Sequence, residues 1–86
     1  MRVIVTGGAG FIGSALCRYL VAQRGIHVTN VDKLTYAANL ASLASIAAHS
    51  NYRFVKADVC DRAAMDAIIR DSAPDAILHL AAESHV

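Results

Sequence analysis

Four of the chain's five glycines fall within one short stretch, Thr6-Gly7-Gly8-Ala9-Gly10-Phe11-Ile12-Gly13. The stretch follows an apolar, β-branched run and precedes residues at helical spacing, so it reads as a strand–turn–helix junction. Glycine at position 7 permits a tight turn. At position 10 it lets the backbone approach a ligand closely, and at position 13 it lets helix and sheet pack together. The first N–H groups of the helix and the positive end of its dipole then suit a pyrophosphate. A purely structural glycine turn is the competing reading, and its strand–turn–helix setting argues against it. A P-loop is excluded, because no Gly-Lys-Ser/Thr follows the cluster.

Three further sets of residues follow apolar runs. Asp32 lies nineteen residues beyond Gly13, at the end of the second run. A carboxylate there accepts hydrogen bonds from adenosine ribose hydroxyls and repels a 2′-phosphate, which favours NAD over NADP. Lys33 beside it complicates that choice, since a basic neighbour is what a 2′-phosphate would recruit. Asp58, in Ala57-Asp58-Val59, reads either as a loop cap or as a contact to the adenine, and its shared edge with the glycine loop and Asp32 favours the adenine. Asp61 reads as the N-cap of the next helix. In Ala81-Ala82-Glu83-Ser84-His85-Val86 the two alanines would let a flat cofactor approach, and Ser84 and His85 could hydrogen-bond a polar substrate. Ordinary packing of the alanines is the alternative.

Tyr52-x-x-x-Lys56 has the spacing of a proton-shuttling pair in which a lysine ammonium lowers the pKa of a phenol. That pairing needs a helix. Here Arg53, Phe54 and Val55 mark a strand, along which four residues span roughly 13 Å, so the side chains would not meet. No nucleophile–base arrangement remains among the other polar residues. The residues on view bind a cofactor and do not complete a reaction.

These positions require an alternating scaffold. Residues 2–6, 27–31, 52–56 and 76–80 read as strands. Helices are expected from Phe11 to before Gly25, around Leu40, Leu43, Ala44 and Ala47, and from near Asp61 to Pro74. Strand–helix alternation predicts an α/β fold, a Rossmann-type doubly wound parallel sheet that is partial, with about four strands in the order 3-2-1-4. A ligand belongs at the carboxyl ends of strands 1 and 4, where the winding reverses.

With 86 residues the chain is at most one small domain, and 56% hydrophobic content with 17% charged residues is that of a globular interior. A net charge of +1 without a basic run argues against nucleic acid. No apolar run reaches membrane-spanning length and no leader pattern opens the chain, so a membrane partner is not expected and the cytoplasm is the expected location. Cys17 and Cys60 lack metal-ligand spacing and are expected as buried or half-buried free thiols. His27, His49, His79 and His85 likewise form no metal constellation. A chain this short buries only about 60–65% of its unfolded surface, yet its strands suit cover on both faces. Residues 1–86 are therefore expected to be the N-terminal part of a larger NAD-binding domain, with the remainder of that domain and a substrate domain outside this chain.

The Gly-x-x-Gly-x-x-Gly spacing resembles the extended branch of the short-chain dehydrogenase/reductase superfamily. Three segments narrow the resemblance: Val31-Asp32-Lys33-Leu34-Thr35-Tyr36-Ala37, Asn39-Leu40, and His79-Leu80-Ala81-Ala82-Glu83-Ser84-His85-Val86. With them the whole chain is similar to the dTDP-glucose 4,6-dehydratase family. Ala38 stands where that family commonly has glycine, and Ala41 where an acidic residue is frequent. The resemblance implies that Gly7, Gly10, Phe11, Ile12 and Gly13 line a pyrophosphate turn. It implies that Asp32, Lys33, Leu34 and Thr35 surround the adenosine ribose, with Asp58 and Val59 at the adenine. Leu80, Ala81, Ala82, Glu83 and Ser84 would pass along the nicotinamide half, Ser84 also reaching the hexose.

The implied reaction is redox-neutral overall. The glucosyl ring is oxidised at C4, water is lost across C5–C6, and the hydride returns to C6, giving dTDP-4-keto-6-deoxyglucose, a precursor of rhamnose and other deoxysugars. The resemblance also implies NAD as a retained cofactor, dTDP-glucose as substrate and a homodimer of the full-length protein. It places the helical Tyr-x-x-x-Lys pair and the acid/base residues beyond Val86, so no catalytic residue is expected in this chain and the chain alone is expected to be inactive. The alternatives are a sister NAD-dependent nucleotide-sugar epimerase or dehydratase, and a truncated, non-catalytic NAD-binding module.

Overall fold

A computed structural model describes residues 1–7, 11–33 and 40–80. Strand β1 spans Arg2–Thr6 and is followed by helix α1, Phe11–Arg18, which widens into a π-helical turn over Tyr19–Gln23. Gly25, at φ +62°, reverses the chain into β2, His27–Asp32. A 3₁₀ segment covers Leu40–Ile46, then come β3 at Tyr52–Lys56, α2 at Arg62–Ser72 and β4 at Ala76–His79. All strand pairs are parallel, and the order is β3-β2-β1-β4, as the alternation of strand and helix patterns predicts.

The two faces of the sheet bury separate sets of side chains. On one face Val3, Val5 and Val28 meet Cys17 and Val21 of the first helical segment and Leu43 and Ile46 of the 3₁₀ segment. On the other, Ile4 and Val31 meet Ile68 of α2, with Met65 and Val55 at the margin. Alternation along β1 sends Val3 and Val5 one way and Ile4 the other. This two-sided burial explains why the strand reads as a continuous apolar run.

Two sequence expectations are corrected. The segment beginning at Leu40 is 3₁₀ helix, where an ordinary helix is expected. Leu40, Leu43 and Ile46 are spaced three apart in the sequence, which matches the three-residue repeat of 3₁₀ helix, and serine is a weaker α-helix former than alanine or leucine. Cys60 is exposed, not buried, because it sits in the turn between β3 and α2; Cys17 is fully buried, and both are free thiols. The expected cap holds: Asp61 accepts a hydrogen bond from Ala64 N–H at 3.2 Å. The helix closes at Ala73, in the left-handed region at φ 46°, just before Pro74. Among the described residues no helix is long and apolar enough to cross a membrane.

Candidate cofactor-binding site

Because the strands are parallel, all four leave the sheet along one edge. Backbone hydrogen bonds persist to the last residues there: Gly7 N–H donates to Val31 O at 2.9 Å, Ala57 N–H to Asp32 O at 3.1 Å, and Leu80 N–H to Thr6 O at 2.9 Å. The exits that carry Gly7, Lys33, Asp58 and Leu80 are therefore held in fixed register. Gly7 has φ 80°, the left-handed region in which a side chain would be strained, and it turns the chain out of β1 toward α1. Gly13 is buried within α1, whereas Ile12 at its first turn is 62% exposed.

Thr6, at the end of β1, is buried to 1%. Its Oγ1 lies 2.7 Å from His79 Nδ1 and also accepts from Leu80 N–H at 3.2 Å. One hydroxyl thus ties the start of the glycine turn to the exit of β4. Sequence reading names both residues but not their link, since no local pattern joins positions 73 apart.

At the neighbouring exits Asp32 ends β2, half-buried, and Lys33 follows, exposed. Lys33 Nζ lies 3.3 Å from Asp58 Oδ2. The second oxygen of Asp58 accepts from Cys60 N–H at 2.8 Å, closing an Asx turn. That N–H, and next the Lys33 ammonium, hold the Asp58 carboxyl below its ordinary pKa. Asp58 is thus a loop cap and a partner of Lys33 together. Val59, next along the chain, is half-buried against the Ile4–Val31–Ile68 cluster, and Leu80 packs against the opposite cluster.

The Tyr52–Lys56 pattern lies in β3. Tyr52 points into the fold, where its hydroxyl accepts from Asn30 Nδ2 at 3.1 Å, and its pKa is raised, first by burial. Lys56 is exposed four residues along the strand, so the pair is not a proton shuttle. Gly10, Leu34, Thr35, Ala81, Ala82, Glu83 and Ser84 lie outside the described residues, as does the side chain of Phe11.

A family model described as GDP-mannose 4,6 dehydratase matches residues 4–86. The chain belongs to this family. A relative described as a probable dTDP-glucose 4,6-dehydratase from Sinorhizobium fredii is 60% identical over all 86 residues, which make up 24% of its length. Among solved structures, the dTDP-glucose 4,6-dehydratase of Bacillus anthracis in complex with NAD matches 98% of the chain at 39% identity and a TM-score of 0.92. The same enzyme from Streptomyces venezuelae, also with NAD bound, matches 100% at 46% identity and a TM-score of 0.90. The chain covers 27% and 28% of those two proteins. It therefore spans about a quarter of the length of the relatives it matches, and its Rossmann-type sheet is the one they share.

Proposed function

We propose that these residues are the N-terminal, cofactor-binding part of an NAD-dependent dTDP-glucose 4,6-dehydratase. The observation that carries the reading is the convergence of Gly7, Asp32, Asp58 and Leu80 on one sheet edge, in a chain whose fold matches NAD-bound relatives at TM-scores of 0.90 and 0.92. Those residues suit the cofactor. Gly7 is left-handed, the dipole of α1 opens beside it, and a carboxylate ends β2, where ribose hydroxyls need an acceptor. In this reading Gly7, Gly10, Phe11, Ile12 and Gly13 hold the pyrophosphate, Asp32, Lys33, Leu34 and Thr35 the adenosine ribose, and Asp58 and Val59 the adenine. Leu80 to Ser84 follow the nicotinamide half, with Ser84 reaching the sugar.

When bound, NAD supplies the hydride acceptor and donor that a redox-neutral dehydration needs. The residues of this chain bind and orient; none of them is proposed to move a proton. The choice of dTDP-glucose as substrate is supported by 60% identity to a probable dTDP-glucose 4,6-dehydratase. A homodimer, a cytoplasmic location and a role in supplying deoxysugars such as rhamnose complete the proposal.

The test uses the protein as its gene encodes it. Purified protein should carry NAD and convert dTDP-glucose to the 4-keto-6-deoxy sugar. Asp32→Ala should weaken NAD binding by about tenfold or more, the loss of hydrogen bonds to a charged acceptor. Turnover of a UDP- or GDP-sugar in preference to dTDP-glucose would overturn the substrate assignment, and no affinity for NAD would overturn the reading as a whole.

A further inference from the structure

Lys33 is the sole cationic side chain from Asp32 to Ala48. It stands at the exit from β2, where an enzyme that accepts NADP places the cation that holds a 2′-phosphate. By position alone it should recruit that phosphate and blur the discrimination made by Asp32. The structure gives Lys33 a different partner. Its Nζ lies 3.3 Å from Asp58 Oδ2, across from the exit of β3. Asp58 is not free to follow the lysine elsewhere: its Oδ1 accepts from Cys60 N–H at 2.8 Å and its carbonyl from Asp61 N–H at 2.9 Å. The ammonium is tethered to an anchored carboxylate. Asp32, Lys33 and Asp58 together present net negative charge to an approaching phosphate.

We propose that Asp58 is a specificity-determining residue, which by pairing with Lys33 keeps the ammonium from serving a 2′-phosphate and so enforces NAD over NADP. The proposal rests on the NAD reading above and adds the device that makes the choice. The pair is solvent-exposed, 56% at Lys33 and 42% at Asp58, so its worth as a bond is small. Its effect on selectivity is larger, because a 2′-phosphate carries nearly two charges and would meet an ammonium already paired with a carboxylate.

The experiment measures dissociation constants for NAD and NADP with the encoded protein, Asp58→Asn, Lys33→Met and the double variant. Asparagine still accepts from Cys60 N–H, so the turn survives while the charge is lost. Any direct contact of Asp58 with the adenine would weaken both cofactors alike and cancel in their ratio. In Asp58→Asn the preference for NAD should fall by about three- to tenfold, and Lys33→Met should abolish that fall. An unchanged ratio in Asp58→Asn overturns the proposal. So does a fall that persists without Lys33, since Asp58 would then act by its own charge. Wild-type protein that binds neither nucleotide overturns the NAD reading itself, and the proposal with it.

Discussion

Thr6 is buried to 1%, and its hydroxyl has one proton to give and two sites at which to accept. Leu80 N–H fills one of those sites, and His79 Nδ1, 2.7 Å away, shares a hydrogen bond with the same hydroxyl. His79→Leu removes this partner of the buried hydroxyl and should cost about 1 kcal/mol. His79→Asn sets an amide group, able to accept or donate, near the same point and should recover most of the loss. Thermal unfolding of the two variants checks this, and equal destabilisation by both would argue against the bond. The two cysteines should also part company. Burial pushes the Cys17 thiol from its ordinary 9.0 up to about 12, whereas Cys60 is exposed in its turn. An alkylating reagent at pH 8, followed by peptide mapping, should modify Cys60 in the native protein and Cys17 only after unfolding. The raised pKa of Cys17 has a consequence for stability. The unfolded thiol ionises from about pH 9 while the folded one keeps its proton, so the unfolded state binds fewer protons and stability falls as pH climbs from 9 toward 12. Tyr52, also raised by burial, acts in the same direction. Cys17→Ala should flatten part of that alkaline slope.

Helix α2 shows what can be read from local pattern. Its start is written in Asp61, its apolar stripe in Met65, Ile68 and Ile69, and its stop in Pro74, and the structure places the helix at Arg62–Ser72. Asp61→Ala should cost about 1 kcal/mol by removing the cap. At the far end Ala73 occupies the left-handed region at φ 46°, so Ala73→Gly should stabilise by about 0.5–1 kcal/mol, provided relief of strain exceeds the added freedom of the unfolded chain. Denaturant midpoints of the two variants should move in opposite directions. Strands β1 and β3 were equally legible, since β-branched and aromatic runs bounded by turn residues leave little choice of register. The 3₁₀ segment was not, because three-residue spacing of Leu40 and Leu43 also fits one face of an α-helix. The glycine turn and Asp32 stood out through their position after a strand. The pairs Lys33–Asp58 and Thr6–His79 had no such signal. They are far apart in sequence, 73 residues for the second, and only the order β3-β2-β1-β4 brings their strand ends together.

Across the whole molecule, burial is uneven in a way that follows from the same strand order. β1 and β2 are paired on both sides, and Val3, Ile4 and Val5 of β1 are 5%, 0% and 0% exposed. β4 is paired only to β1 among the described residues, and its Ile77 remains 46% exposed, as Ile69 of α2 does at 37%. A parallel sheet is ordinarily covered on both faces, and α2 covers that face at Ile4 and Val31 while leaving Ile77 largely bare. A polypeptide of these 86 residues alone should therefore open from β4 inward. In native-state hydrogen exchange the amides of Ile4 and Val5 should be the slowest, and those of β4 should exchange through smaller openings. Substitutions should follow the same gradient. Ile4→Val removes a fully buried methylene and should cost about 0.5–1.5 kcal/mol. Ile77→Thr keeps the β-branched shape at a site that is nearly half solvated, and should cost less than about 0.5 kcal/mol. A loss at Ile77 as large as that at Ile4 would mean that the polypeptide covers this face by some arrangement other than the one described, such as self-association. A dilution series separates the two cases, because a face covered by a second copy loses its protection as the concentration falls.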